Sequence, residues 1–341
     1  MEIIVPAAGL SSRFPNMKPK YLLYDYSHKL MLQRALEPYL GYPITIGILR
    51  DHNTQFNAAE FIRYEFGDSV RIVVLDEPTQ GPADTVYQII KRSRIDLTDD
   101  ILVKDCDSFF KHEIRPGNYV CVSKIADHVI LKKLASKSFV RSNEQGIITD
   151  IIEKQVTSDT FCVGGYKFES ADLYIKMFEG ITHKKEVFVS DVIQQCLLHG
   201  LIFTENLVSD YTDVGTSEDW FEYNDKPVIF CDIDGTLIVS QSRVGKNNYF
   251  SKPDVLQRNV NALLEKQKAG AQFVFTTARD VIFEEQTKKL LDFLGFKNYK
   301  LVIGLQNAKR ILINDFDQAN PFPRAEAINI NRNSDNLEDY L

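Results

Sequence analysis

Residues 211–236, YTDVGTSEDWFEYNDKPVIFCDIDGT, decide how the chain divides. Two acidic turns stand in it, beginning at Asp213 and at Asp232, nineteen positions apart. The first is Asp213-Val214-Gly215-Thr216. The second, Asp232-Ile233-Asp234-Gly235-Thr236, follows the apolar run Val228–Cys231, which reads as a strand. Between them Glu222–Pro227 is short and polar, with no Gly/Ser-rich tract. The stretch reads as the end of one site and the start of another. A chain of 341 residues is long for a single core, so two domains are expected, residues 1–225 and 226–341.

Composition narrows the classes. Hydrophobic residues at 44% and charged residues at 26% suit an ordinary globular protein. A net charge of −7 argues against nucleic acid or an anionic membrane as partner, yet leaves room for a nucleotide held by a few local cations. The five cysteines are odd in number and lack C-x-x-C spacing, as reduced cytoplasmic thiols would. The opening MEIIVPAAG reads as a buried strand running into a turn, and no 18-residue apolar run follows. A cytoplasmic protein with no membrane association is expected; a homo-oligomer stays open.

Working back from Asp213, strand and helix patterns alternate. Glu2–Ala7, Ile44–Leu49, Val70–Leu75 and Asp100–Lys104 read as strands, and Leu30–Leu40, Ala58–Phe66 and Ala83–Arg92 as helices. That alternation predicts an α/β fold with a mostly parallel sheet. After the first strand comes Ala8-Gly9-Leu10-Ser11-Ser12-Arg13, a small-residue loop holding a cation. Such a loop lets backbone N–H groups approach a phosphate, and Arg13 can add a charge-assisted contact. Lys18 and Lys20 follow. Gln80-Gly81-Pro82-Ala83 opens the helix Ala83–Arg92 and lets backbone approach a planar ring. Asp105 and Asp107 stand just past a strand's C-terminal end, where open α/β sheets bind ligands. Short strands then follow, Tyr119–Ser123, Ser138–Arg141, Ile147–Glu153 and Phe161–Phe168.

The run IIVPAAGLSSRFPNMKPKYLL resembles the N-terminal signature of sugar-phosphate nucleotidyltransferases, with Ser11 where the loop often has Gly. The resemblance implies that Ala8, Gly9, Leu10, Ser11 and Ser12 hold a nucleoside triphosphate and that Arg13 and Lys20 are catalytic, with Lys18 a helper. It implies that Gln80, Gly81 and Ala83 meet the base. Asp107 and Asp213 would hold Mg²⁺, while the role of Asp105 stays open. Ile151-Ile152-Glu153-Lys154 and Gly164-Gly165-Tyr166 resemble the family's acceptor motifs, which makes Glu153, Lys154 and Gly165 substrate-binding. The order of these motifs along the chain carries the resemblance more than any one of them.

In the second half the spacing of Asp232 and Asp234 is itself informative. Asp232 can attack phosphorus as a carboxylate nucleophile, and Asp234 can protonate the leaving oxygen. D-x-D-G-T-L after an apolar strand closely resembles the haloacid-dehalogenase phosphatases. That resemblance implies Thr277 as phosphate-binding hydroxyl, with Thr276, one position off, still open, and Lys309 as the phosphate cation. It also implies Mg²⁺ held at Asp232, Asp234 and Asp315, with Asp317 open. Gln272–Thr276 and Ile311–Asn314 would be strands, Val255–Ala269 and Val281–Phe293 helices, and the spacings leave no room for a cap domain. The polar tail from Asn331 to Leu341 is expected to fray.

The fold expected is therefore α/β with two Rossmann-like domains, a mixed-sheet nucleotidyltransferase and a capless haloacid-dehalogenase-like unit. The two resemblances together imply a bifunctional enzyme with Mg²⁺ in both domains. One half would move a nucleotidyl group from an NTP, with a lean to CTP or another pyrimidine nucleotide, to a sugar or polyol phosphate. The other would hydrolyse a phosphate monoester. Surface-polysaccharide precursor synthesis is the setting by analogy. The alternative is an active phosphatase with a non-catalytic nucleotide-binding module.

Overall fold

The computed structural model describes residues 1–128, 134–182, 184–240, 252–314 and 325–341. The chain falls into two compact units, Met1–Asn224 and Asp225–Leu341.

In the first unit, strand β1 (Glu2–Pro6) is short, β-branched and covered on both faces, with Ile3, Ile4 and Val5 fully buried. Branched side chains suit a pleated surface packed from two sides. It lies parallel to β2 (Ile44–Leu49), which carries β3 (Val70–Leu75), and on its other side to β4 (Ile101–Lys104). Helices α1 (Met31–Leu36), α2 (Arg50–Phe56), α3 (Ala58–Phe66) and α4 (Pro82–Arg92) make the connections. The strand period of two sends Ile4 into one apolar layer with Val86 and Ile89 of α4. It sends Ile3 and Val5 into the other, with Leu36 and Ile46. The helix expected over 30–40 ends at Leu36 and tightens into a 3₁₀ turn over Glu37–Tyr39, where Pro38 has no N–H to extend it.

Beyond β4 the sheet becomes antiparallel. β5 (Ser108–Lys111) leaves the sheet. β6 (Tyr119–Lys124) pairs with β9 (Thr160–Phe168), which pairs with β4, while β7 (Phe139–Ser142) and β8 (Ile148–Ile152) form a hairpin on β9. β10 (Thr204–Leu207) adds to β6, giving the order β10-β6-β9-β4-β1-β2-β3. β5 instead pairs antiparallel with β11 (Ser209–Asp213). Helices α5 (Ala171–Glu179), α6 (Val189–Leu198) and α7 (Ser217–Asn224) complete the unit.

The second unit has a parallel sheet, β12 (Val228–Asp232), β13 (Gln272–Thr276) and β14 (Lys300–Val302), in that order, with α8 (Gln257–Lys268) and α9 (Glu284–Phe293). Its core joins Ile233, Leu237, Val260, Leu263, Phe273, Phe275, Leu291 and Phe296. Two expectations need correction. Residues 311–314 are not a strand: among the described residues they pair with no neighbour, and Ile313 is 89% exposed. An apolar run becomes a strand only when another edge satisfies its backbone, and none of the described residues does so. The tail is not frayed either. Asn259, fully buried, donates to Ser334 O at 2.7 Å and accepts from the Leu337 N–H at 2.8 Å, and Leu337 enters the core. Leu337 and the satisfied Asn259 amide, with the Arg258–Glu338 ion pair and the Ser240 N–H donating to Asn333 Oδ1, tie down an otherwise polar segment.

Candidate functional site

The strands β1, β2 and β3 progress to one side, and the chain then crosses to place β4 on the other side of β1. At such a switch point the loops leaving the two strands diverge and open a crevice at their C-terminal ends. The loop after β1 and the acidic turn after β4 both leave from this place. Lys20 Nζ donates to Asp107 Oδ2 at 2.5 Å, and Arg13 Nη2 stands 3.8 Å from the same oxygen. The Lys20 N–H donates to Ser11 Oγ at 3.2 Å, closing the loop. Ser11 has φ 52°, the left-handed region where Gly is favoured, so its hydroxyl bond partly compensates a strained backbone. Gly9, Leu10 and Ser12 face solvent, whereas Ala8 is buried with Leu49 and Leu75.

Asp213 reaches this crevice by tertiary pairing. β11 registers Asp213 opposite Ser108 of β5, and the Val214 N–H donates to Asp107 O at 3.0 Å. The Gly215 N–H then donates to Asp213 Oδ1 at 2.9 Å. A Cβ on Gly215 would stand 3.0 Å from Asp213 Oδ1, 3.2 Å from Asp107 Oδ2 and 3.5 Å from Arg13 Nη1, so these groups converge on one small volume. Asp105 turns elsewhere: its N–H donates to Gly164 O at 2.9 Å, and its carboxylate fills the space a Gly164 side chain would need.

The charges of the pair reinforce one another. Burial alone would raise the Asp107 pKa, but the Lys20 ammonium overcomes this and holds it well below the usual carboxylate range. Burial likewise would lower Lys20, and Asp107 outweighs it, so its pKa is raised. Asp105 moves the other way, pushed up by burial and by the nearby Asp107 charge.

Two cations that sequence reasoning passed over hold this assembly. Lys104 is fully buried and donates to Asp105 O at 2.7 Å, Ser108 O at 2.7 Å and Ser108 Oγ at 3.0 Å. It thereby ties both ends of the acidic turn; burial pulls its pKa down to about 8. Lys137 donates to Asp213 Oδ2 at 2.5 Å and to the Tyr211 hydroxyl at 2.7 Å. A lysine ending a strand pattern would have flagged the first; nothing in the sequence flags the second.

The remaining expected residues flank the cluster. The Glu153 carboxylate accepts from the hydroxyls of Ser138 and, at 2.7 Å, Ser190. The Lys154 ammonium lies 4.0 Å from the Phe188 ring centroid and 3.7 Å from Glu186. The space in front of Gly165 is filled by Phe110 and Cys121, so its smallness serves close packing. Gln80 O accepts from the Val187 N–H at 2.6 Å and the Ala83 N–H donates to Val187 O at 3.1 Å, which zips the Gln80–Ala83 turn to the start of α6. Gly81 has φ 119° and a Cβ there would meet Val187 O at 2.6 Å, so only glycine fits.

In the second unit Asp232 ends β12 opposite Thr276. Burial raises its pKa, opposed by Arg310 and assisted by Asp234. Arg310 Nη2 stands 3.0 Å from Asp232 Oδ1, so the cation beside the expected nucleophile is Arg310, next to the exposed Lys309. Arg279, also unforeseen, donates Nε to Asp234 Oδ2 and Nη2 to Oδ1, both at 2.8 Å. Thr277 Oγ1 lies 3.4 Å from Asp234 Oδ2 and accepts from the Arg279 N–H at 3.1 Å. Asp315 and Asp317 lie outside the described residues.

The donor set of the first unit fits Mg²⁺. Asp107 and Asp213 offer hard oxygens around the space that Gly215 leaves open, and Mg²⁺ commonly takes one or two carboxylates plus phosphate and water. Among the described residues no three His, Cys, Asp or Glu side chains group as a complete metal cage. No helix among them is long and apolar enough to cross a membrane.

No family model matches the chain. A 103-residue stretch is 33% identical to the 3-deoxy-manno-octulosonate cytidylyltransferase of Blochmanniella floridana, covering 30% of this chain and 38% of that protein. The chain thus matches well under half the length of this curated relative. Among solved structures, the nucleoside-diphosphate-sugar pyrophosphorylase of Vibrio cholerae superposes with a TM-score of 0.56 at 19% identity, over 64% of this chain and 98% of its own. The inositol-1-phosphate CTP transferase of T. maritima does so with a TM-score of 0.54 at 16% identity, over 64% and 90%. The N-terminal part of the chain therefore has the nucleotidyltransferase fold.

Proposed function

We propose that the first unit transfers a nucleotidyl group from an NTP to a sugar or polyol phosphate. An acceptor phosphate oxygen attacks the α-phosphorus, and the bond to the departing pyrophosphate breaks. The observation carrying this reading is the convergence of Arg13, Asp107 and Asp213 around Gly215 at the sheet's switch point, with Lys20 paired to Asp107. Arg13 and Lys20 would stabilise charge on the triphosphate, and the solvent-facing Gly9, Leu10 and Ser12 would line it. Asp107 and Asp213 would hold Mg²⁺, which offsets charge between the phosphates when bound. Sequence similarity to a cytidylyltransferase and fold similarity to a CTP transferase support CTP as donor.

For the second unit the proposal is phosphate monoester hydrolysis. Asp232 attacks phosphorus, and the ester oxygen departs with a proton from Asp234. Water then cleaves the aspartyl phosphate with Asp234 as base. Arg310 beside Asp232 and the Arg279 fork on Asp234 support it, since one can meet a phosphate and the other orients the acid. A matrix of NTPs against phosphorylated sugars and polyols, with pyrophosphate and orthophosphate read separately, tests both. Pyrophosphate release that survives Asp107→Ala, or orthophosphate release that survives Asp232→Asn, sinks the half concerned.

A further inference from the structure

Two lysines could serve the acceptor side of the first unit, and their backbones are joined: the Lys154 N–H donates to Lys137 O at 3.1 Å. Their side chains part from there. The Lys154 ammonium is spent on the Phe188 face and on Glu186, at the start of α6. The Lys137 side chain is only 8% exposed, its ammonium lying 5.4 Å from the Phe161 ring centroid and 5.3 Å from that of Tyr211. It reaches Asp213 Oδ2, whose own side chain is 40% exposed. One lysine is thus carried to the carboxylate cluster and the other away from it.

A divalent cation on Asp213 would remove most of the attraction that holds the Lys137 ammonium there. Aromatic walls keep the side chain from swinging into bulk water, so the released charge needs a new anion close by. Lys137 precedes β7, next to the Ser138–Glu153 hydrogen bond, and meets Asp213 where Arg13 and Lys20 meet Asp107. We propose that Lys137, and not Lys154, supplies the cation for the acceptor's phosphate, handed over from Asp213 when a divalent metal takes that carboxylate. This rests on the nucleotidyltransferase reading of the first unit.

The test uses full-length protein carrying Asp232→Asn, which removes a carboxylate expected to hold metal in the second unit, with Mn²⁺ as probe read by electron paramagnetic resonance. Inorganic phosphate stands in for the acceptor's phosphate. Phosphate is expected to tighten Mn²⁺ binding by about fivefold or more, because metal and released ammonium share the anion. Lys137→Met should bind Mn²⁺ alone more tightly, having lost the competing cation, and should lose the phosphate effect. Lys137→Arg should restore part of it, and Lys154→Met should keep it whole. The proposal is overturned if phosphate has no effect in the parent, if the effect survives Lys137→Met, or if it disappears in Lys154→Met. That last variant decides even where Lys137→Met does not fold. A purely structural Lys137 would instead lower the melting temperature and weaken Mn²⁺ in Lys137→Met. Mn²⁺ binding unchanged by Asp213→Asn would reject the metal site itself, and with it the reading on which the proposal rests.

Discussion

Both units present two carboxylates beside strand ends and set a cation against each, but they assemble them differently. In the second unit Asp232 and Asp234 are two residues apart on one chain, and arginines hold them. In the first, Asp107 and Asp213 lie over a hundred positions apart, are joined by the β5–β11 pairing, and are held by lysines. A site written into one turn is read directly from a short motif. A site closed by tertiary pairing exists only when the whole unit folds. The counter-ions differ to match: a planar guanidinium fork fixes a carboxylate's orientation, whereas a lysine is a point charge that can leave for another anion.

The sharpest way to break this comparison is to remove one carboxylate from each unit. Asp232→Asn should reduce orthophosphate release by ~10⁴-fold or more, and Asp107→Ala should reduce pyrophosphate release by ~10³-fold or more, each leaving the other activity in place. Loss of both activities in either variant would mean that the units do not act independently. Next in size is the fork. Arg279→Met leaves Asp234 without its bidentate partner, and breaking so enclosed a pair should cost the second unit about 3–5 kcal/mol in denaturant melts. The first-unit activity should not change.

The Asp107–Lys20 pair predicts a smaller, pH-dependent effect. The Asp107 value is lowered, so its contribution is complete above the ordinary carboxylate range and fades as pH falls through its folded value. The Lys20 value is raised, so its contribution holds until pH rises past its own folded value. The melting-temperature gap between wild type and Asp107→Asn should be flat from about pH 5 to 9 and should close below about pH 4. A gap that widens in acid would contradict the pairing. The smallest effect is expected for Ser11→Gly. Relief of the left-handed backbone and loss of the hydroxyl bond to the Lys20 N–H should nearly cancel, leaving stability within about 1 kcal/mol by thermal melting.

Much of the site was legible as residue types at strand ends. Arg13, Lys20, Asp107 and Asp213 were all expected from short motifs in order along the chain, and the structure gathers Arg13, Asp107 and Asp213 around Gly215, with Lys20 on Asp107. The roles of individual cations were not legible. Lys309 was the expected cation of the phosphate site, but Arg310, one position on, is the one that stands against Asp232. The run Ile311–Asn314 has strand-like residues and no partner among the described residues, while the polar tail carries one leucine that finds the core. Pairing and burial are properties of what lies opposite, which a local window does not contain.

By itself the sequence determined the alternation that builds the first sheet, the acidic turns that follow its strands, and the paired carboxylates of Asp232 and Asp234. Each depends on short-range patterning: apolar periodicity, small residues in a turn, two acids pointing the same way from an extended chain. Only the tertiary structure decided that Asp213 meets Asp107, that Asp105 turns to Gly164, and that Lys137 and not Lys154 reaches the carboxylates. Long flexible side chains have many rotamers of similar energy, and the packing of distant strands and rings selects among them.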